Sequence, residues 1–119
     1  MAYARLIVPG QTLLVTRRTV ARHFLFRPDT SMNRAFRFCL AVAAQENGIV
    51  VHAACLMSTH LHLVITDVRG VHPRFTRRLH RLLANFTKVH RGWGGAVFDS
   101  GRPSVVRLLK GLRRVSIDG

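Results

Sequence analysis

Acidic residues are scarce in this sequence. Five Asp and Glu stand against 19 Lys and Arg, which gives a formal net charge of +14 before any of the 7 histidines protonates. Lysine is scarce as well, because seventeen of the nineteen cations are Arg. The planar, always-charged guanidinium suits paired contacts to phosphate better than the point charge of Lys does. A surface of this kind calls for a polyanion, and nucleic acid is the partner the composition implies.

Other absences narrow the reading. Cysteine occurs only as Cys39 and Cys55, far apart and each inside an apolar run. That excludes a disulfide framework and a thiolate zinc cluster, and both thiols are expected to be buried as small apolar groups. No stretch approaches the ~20 apolar residues of a membrane span, and the first residues lack the anatomy of a signal peptide. The expectation is a soluble, cytoplasmic, nucleoid-associated protein with no membrane partner. Tyrosine and tryptophan occur once each, as Tyr3 and Trp93. The 119 residues, 48% of them hydrophobic, provide for one core and one domain over residues 1–119. Residues 1–9 read as an N-terminal arm and residues 110–119 as an atypical basic tail.

Within the domain, Thr12 to Thr19 (TLLVTRRT) is rich in β-formers and ends on Arg17 and Arg18. The turn Arg27-Pro28-Asp29-Thr30-Ser31 offers helix N-caps. Phe36, Cys39, Leu40 and Ala43 then recur at helical spacing until Gly48 stops the pattern. Ile49 to Met57 and His60 to Thr66 are apolar runs around the polar break Ser58-Thr59, and they read as a hairpin. A second helical pattern spans Pro73 to Arg91, with Phe75, Leu79, Leu82, Leu83, Phe86 and Val89 in one apolar stripe. At one helical step per residue, Arg74, Arg77, Arg78, Arg81 and Lys88 fall in a sector of about 100° beside that stripe. Arg91 to Gly95 reads as a loop, Ala96 to Phe98 as a short extended piece, and Ser104 to Leu109 as a last strand. Strand, helix, strand, strand, helix, strand is the split-βαβ, ferredoxin-like arrangement of the α+β class. It predicts an antiparallel sheet with two helices on one face and the other face free.

Residues two apart in a strand point the same way. His60 and His62 therefore share one face of the third strand, and Leu61, Leu63 and Ile65 share the other. The aliphatic face meets the helices, so both imidazoles project from the free face and make half of a metal site. Imidazoles in the most apolar strand, where Val or Ile would fit better, argue for a task beyond packing. Asp67 has the opposite parity and is not read as a ligand. His52, His72, His80 and His90 are read as surface or packing residues.

Met57-Ser58-Thr59-His60-Leu61-His62-Leu63-Val64 resembles the Met-x-x-His-x-His strand of the insertion-sequence-200-like, single-tyrosine HUH transposases, in their REP-associated branch. Leu14 to Arg18, Phe26 to Asp29 and Ser104 to Leu108 resemble further segments of that family in the same order, so the resemblance covers roughly Pro9 to Leu109. It implies a ferredoxin-like sheet that binds single-stranded or hairpin DNA and a divalent metal, Mg²⁺ or Mn²⁺, with His60 and His62 as ligands. It also implies strand cleavage and joining through a phosphotyrosine link, and it leaves a homodimer open. Arg17, Arg18, Arg74, Arg77, Arg78, Arg81 and Lys88 are the candidate DNA contacts, and Trp93 is a candidate for stacking on a base or for anchoring its Gly-rich loop.

The sequence departs from the family at its end. The family's nucleophilic tyrosine lies on a helix after the last strand, whereas the ten residues following Leu109 contain none. Tyr3, in the arm, has no activating base in its setting. The expectation is a truncated or frame-shifted transposase domain that binds DNA without a catalytic residue of its own. Two alternatives share the fold and the charge: a non-catalytic RRM-like module, which reads bases with strand aromatics, and a basic assembly scaffold whose histidines only pack.

Overall fold

Residues 7–108 are described by the computed structural model. Tyr3, most of the arm at 1–9, Leu109 and the tail at 110–119 lie outside the described residues. The elements run β1 (Gln11–Arg18), α1 (Thr30–Asn47), β2 (Ile49–Met57), β3 (His60–Asp67), α2 (His72–Arg91) and β4 (Ser104–Leu108). The sheet order is β2-β3-β1-β4 with every neighbouring pair antiparallel. The β1-to-β2 connection passes over β3, and the β3-to-β4 connection passes over β1. α1 and α2 pack on each other and on the same buried strand residues, which places both on one face of the sheet. This is the ferredoxin-like α+β fold that the element order implies.

Alternation of period two in β1 and β3 decides which face that is. Leu13 and Val15 of β1 and Leu61, Leu63 and Ile65 of β3 are buried, while Leu14, Thr16, His60, His62, Val64 and Thr66 between them are only half-buried. The buried set meets Phe36, Cys39, Leu40 and Ala43 of α1 and Phe75, Leu79 and Leu83 of α2 in one core. Each of these large side chains contributes about 1.5–3 kcal/mol by leaving water.

Local chemistry fixes the helix ends. Asp29 caps α1 by accepting from the Met32 amide at 2.6 Å. That bond first, and then His90, holds the Asp29 carboxyl down to about 2. Gly48 ends α1 in the left-handed conformation, φ 63°, as its place after the apolar pattern predicts. The start of α2 has no capping side chain at Val71. Asp67, buried at the end of β3, does that work instead: it accepts from the Val71 amide at 2.9 Å, the His72 amide at 2.8 Å and His72 Nδ1 at 3.0 Å. A carboxylate at a helix N-terminus is favoured by the helix dipole and by the free amides there.

Two packing expectations are corrected. Val89 is 86% exposed rather than part of the α2 stripe. The buried line of α2 follows Phe75, Leu79, Leu83 and Thr87 at every fourth residue, and Val89 lies well round the helix from it. Thr76 and Thr87 can occupy buried places because their hydroxyls donate to the carbonyls of Pro73 and Leu83. Of the two thiols, Cys39 is buried and Cys55 is exposed. Cys55 is the cross-strand partner of His62 and so stands on the free face of the sheet. Trp93 donates from Nε1 to the Ala96 carbonyl at 2.8 Å and packs against the core, which anchors the glycine-rich loop. Among the described residues no helix is long and apolar enough to cross a membrane.

Candidate functional site

The free face of the sheet carries its polar residues at one end. There β1 pairs Thr16 with His62 and Arg18 with His60, and β2 pairs Cys55 with His62 and Met57 with His60. Thr16, Arg18, Arg22, Thr59, His60 and His62 line a cleft of about 310 Å³. His60 and His62, two apart on one strand, stand edge to face with ring centroids 4.6 Å apart.

Each ring is held by its Nδ1. His62 Nδ1 shares a hydrogen bond of 3.0 Å with the Thr16 hydroxyl, and His60 Nδ1 one of 3.0 Å with the Thr59 hydroxyl. Neither Nε2 has a partner among the described residues. A hydrogen bond on one ring nitrogen that fixes the ring and leaves the other nitrogen free is the arrangement that metal-ligating histidines use. Burial first, then His62 and Arg18 beside it, lowers the His60 pKa, which favours the neutral imidazole that ligation requires. The donor set thus fits a divalent ion by two nitrogens. Among the described residues no group of three His, Cys, Asp or Glu is gathered around one point, so the two imidazoles would be half of a coordination shell.

Other residues marked in the sequence fall elsewhere. Arg17 has the opposite parity to Thr16 and Arg18 and points to the helical side. Its guanidinium donates to the carbonyls of Gly101 and Asp99, the latter at 2.8 Å, lies 3.6 Å from the Asp99 carboxylate, and sits over the Phe98 ring. Burial lowers its pKa, against the opposing effect of Asp99. Arg74, Arg77, Arg78 and Arg81 line a different cleft, with Glu46 and Asn47, on the helical layer. Arg78 is there paired with Glu46 at 2.9 Å, and Lys88 is exposed further along α2. The sheet separates this stripe from the two histidines.

Three members of the cleft, Thr16, Arg22 and Thr59, are not marked as site residues by the sequence, Thr59 being read there only as part of a polar break. Thr16 is legible once β1 is paired with β3, since only the register shows which residue lies opposite His62. Arg22 belongs to an irregular segment after β1 and carries no periodic signal. The remaining five histidines are packing or surface groups: His72 binds Asp67, His80 packs at a tilt against Phe98, His23 packs against Trp93, His90 meets Asp29 and His52 meets Thr66.

No family model and no curated protein matches the sequence. Solved structures do match in fold. One is a candidate transposase from Deinococcus radiodurans R1, at 19% identity and TM-score 0.67, covering 99% of this chain and 94% of that one. Another is a REP-associated tyrosine transposase bound to a REP hairpin, at 15% identity and TM-score 0.72, covering 99% of this chain and 68% of that one. The chain thus has the fold of the REP-associated tyrosine transposases, the family that its histidine strand resembles.

Proposed function

We propose that this chain is the DNA-handling domain of an insertion-sequence-200-like transposase, binding single-stranded or hairpin DNA with the free face of its sheet. The observation that carries the reading is the pair of threonine-anchored imidazoles, each with its Nε2 free, in a cleft walled by Arg18 and Arg22. His60 and His62 would hold a divalent ion, Mg²⁺ or Mn²⁺, and such an ion would supply Lewis-acid polarisation of a phosphate oxygen. The chain's own residues orient that phosphate: Arg18 offers positive charge beside His60, and Thr16 and Thr59 hold the imidazoles in place. The fold neighbour solved with a REP hairpin supports DNA as the partner. An RRM-like reading finds little support, because neither β1 nor β3 carries Phe, Tyr or Trp, and β3 has histidines in their place.

Strand cleavage in that family needs a tyrosine, and the described residues contain none. The reading is therefore a site that binds and polarises a phosphodiester. Arg17, Arg74, Arg77, Arg78, Arg81 and Lys88 remain candidate contacts to DNA that extends beyond the cleft. Fluorescence anisotropy with a labelled DNA hairpin carrying a single-stranded extension tests the proposal, with and without Mn²⁺. Binding stronger than to an unstructured RNA of equal length, with a Mn²⁺-dependent part abolished by His60→Ala and His62→Ala, is expected. Equal affinity for the RNA, indifferent to Mn²⁺ and to both substitutions, would favour the RRM-like or scaffold readings. A tyrosine-linked DNA product would show that the chain cuts.

A further inference from the structure

Between β1 and α1 the chain makes a turn at Val20–Arg22 in which two consecutive L-residues adopt the left-handed conformation, Ala21 at φ 46° and Arg22 at φ 57°. Such backbone is disfavoured for any residue with a Cβ, and glycine is its ordinary occupant. Here both places are held by other residues, and the second puts an arginine in the wall of the histidine cleft. Strained backbone of this kind persists where the surroundings over-determine it. The surroundings do so here. The Thr19 amide donates to the Thr59 carbonyl at 2.8 Å, the Val20 amide to the Val97 carbonyl at 2.8 Å, and the Phe26 amide to the Ser58 carbonyl at 3.1 Å. The segment bearing Arg22 is therefore tied to the Ser58-Thr59 turn, whose next residue is His60.

The charge balance points the same way. The described acids are Asp29, Glu46, Asp67 and Asp99, and each is already matched: Asp29 by Arg91 and His90, Glu46 by Arg78, Asp67 by His72 and Asp99 by Arg17. Arg18 and Arg22 have no ion pair among the described residues, and the cleft they share has no carboxylate in its wall.

We propose that Arg22 is a phosphate-binding residue of the histidine cleft, paired with Arg18, and that the left-handed turn exists to deliver its guanidinium there. This rests on the DNA-binding reading above. The planar fork bridges two oxygens of one phosphate, and the turn supplies the approach that β1 cannot, since the strand has ended at Arg18.

Arg22→Gly separates side chain from backbone, because glycine keeps the left-handed turn and deletes the guanidinium. With the labelled hairpin described above, it is expected to melt no lower than the parent chain and to bind about tenfold more weakly at 0.1 M salt. Its log–log salt slope should be shallower by about 0.7, one phosphate contact on a single strand. Arg22→Lys should recover the slope and only part of the affinity. Arg69→Ala, a cation beyond the other end of β3, should leave both unchanged. If Arg22→Gly binds as the parent does, or if Arg69→Ala weakens binding equally, the assignment is overturned while the DNA-binding reading stands. If the parent chain does not bind the hairpin, both fall.

Discussion

His60 and His62 on one side of the sheet, and His72 and His80 on the other, are the same side chain put to opposite uses. On the helical side each imidazole is enclosed by the fold, although neither Nε2 has a hydrogen-bond partner among the described residues and that of His80 is buried. His72 gives its Nδ1 to the buried Asp67 carboxylate. His80 packs on Phe98 beside Arg17, where burial and that cation push its pKa down to about 4. On the free side each ring is steadied by a threonine hydroxyl, and its Nε2 has no partner among the described residues. The difference teaches that an unpartnered ring nitrogen makes a histidine a candidate ligand only on an open face, as at His60 and His62, and not where the ring is packed away from solvent, as at His72 and His80.

The comparison breaks most easily on the helical side. Asp67→Ala deletes three hydrogen bonds from a buried carboxylate and leaves His72 and the first amides of α2 without a partner. A loss of about 3 kcal/mol in stability is expected in urea titration. A loss below 1 kcal/mol would mean that Asp67 is not what holds the start of α2.

The next effect is pH dependence. The His80 pKa is depressed in the fold, so the folded state binds its proton less readily than the unfolded chain does. The stabilising contribution is fully present above about 6.5, the ordinary histidine value, and is lost as pH falls from there towards about 4. The loss is roughly 3 kcal/mol over that window, and thermal melts of His80→Gln should show a correspondingly flatter profile. An unchanged profile would move the titration to another group.

On the free side the effect on stability should be small and the effect on ligands large. Replacing His60 and His62 together by Ala is expected to change unfolding free energy by no more than about 1 kcal/mol, while removing the Mn²⁺-dependent part of hairpin binding. A collapse of stability instead would make the pair a structural feature like His72 and erase the contrast.

The smallest effect belongs to the α2 stripe. Arg78 and Glu46 form an exposed pair at 2.9 Å. Exposed pairs contribute little because water and salt screen them, so Arg78→Ala should leave the melting temperature unchanged. Whether it weakens DNA binding tests whether the helical layer takes part at all.

Much of this molecule is legible in its residues. The alternation Leu61, Leu63, Ile65 against His60, His62 is enough to send the histidines to the free face, because a strand has only two faces and the apolar one must meet the helices. Gly48 and the apolar pattern before it set the end of α1 for a similarly local reason. Thr16, Arg22 and Thr59 were not legible as members of the site. Their places depend on cross-strand register and on an irregular turn, neither of which leaves a periodic trace. Nor was the division between Arg17 and Arg18 marked, although strand parity contains it: the sequence delivers both to one edge, and only the packing of Phe98 and Asp99 against Arg17 shows that it is occupied internally.

Composition and period, then, determined by themselves a basic chain with an α+β fold and a histidine pair on its open sheet, since charge balance and side-chain alternation are local properties of the chain. Which cations are left without an acid partner was decided only by tertiary structure, because few acids are shared among many arginines and the fold alone chooses the pairs. The same holds for the left-handed turn at Arg22, which is held in place by hydrogen bonds to residues distant in sequence.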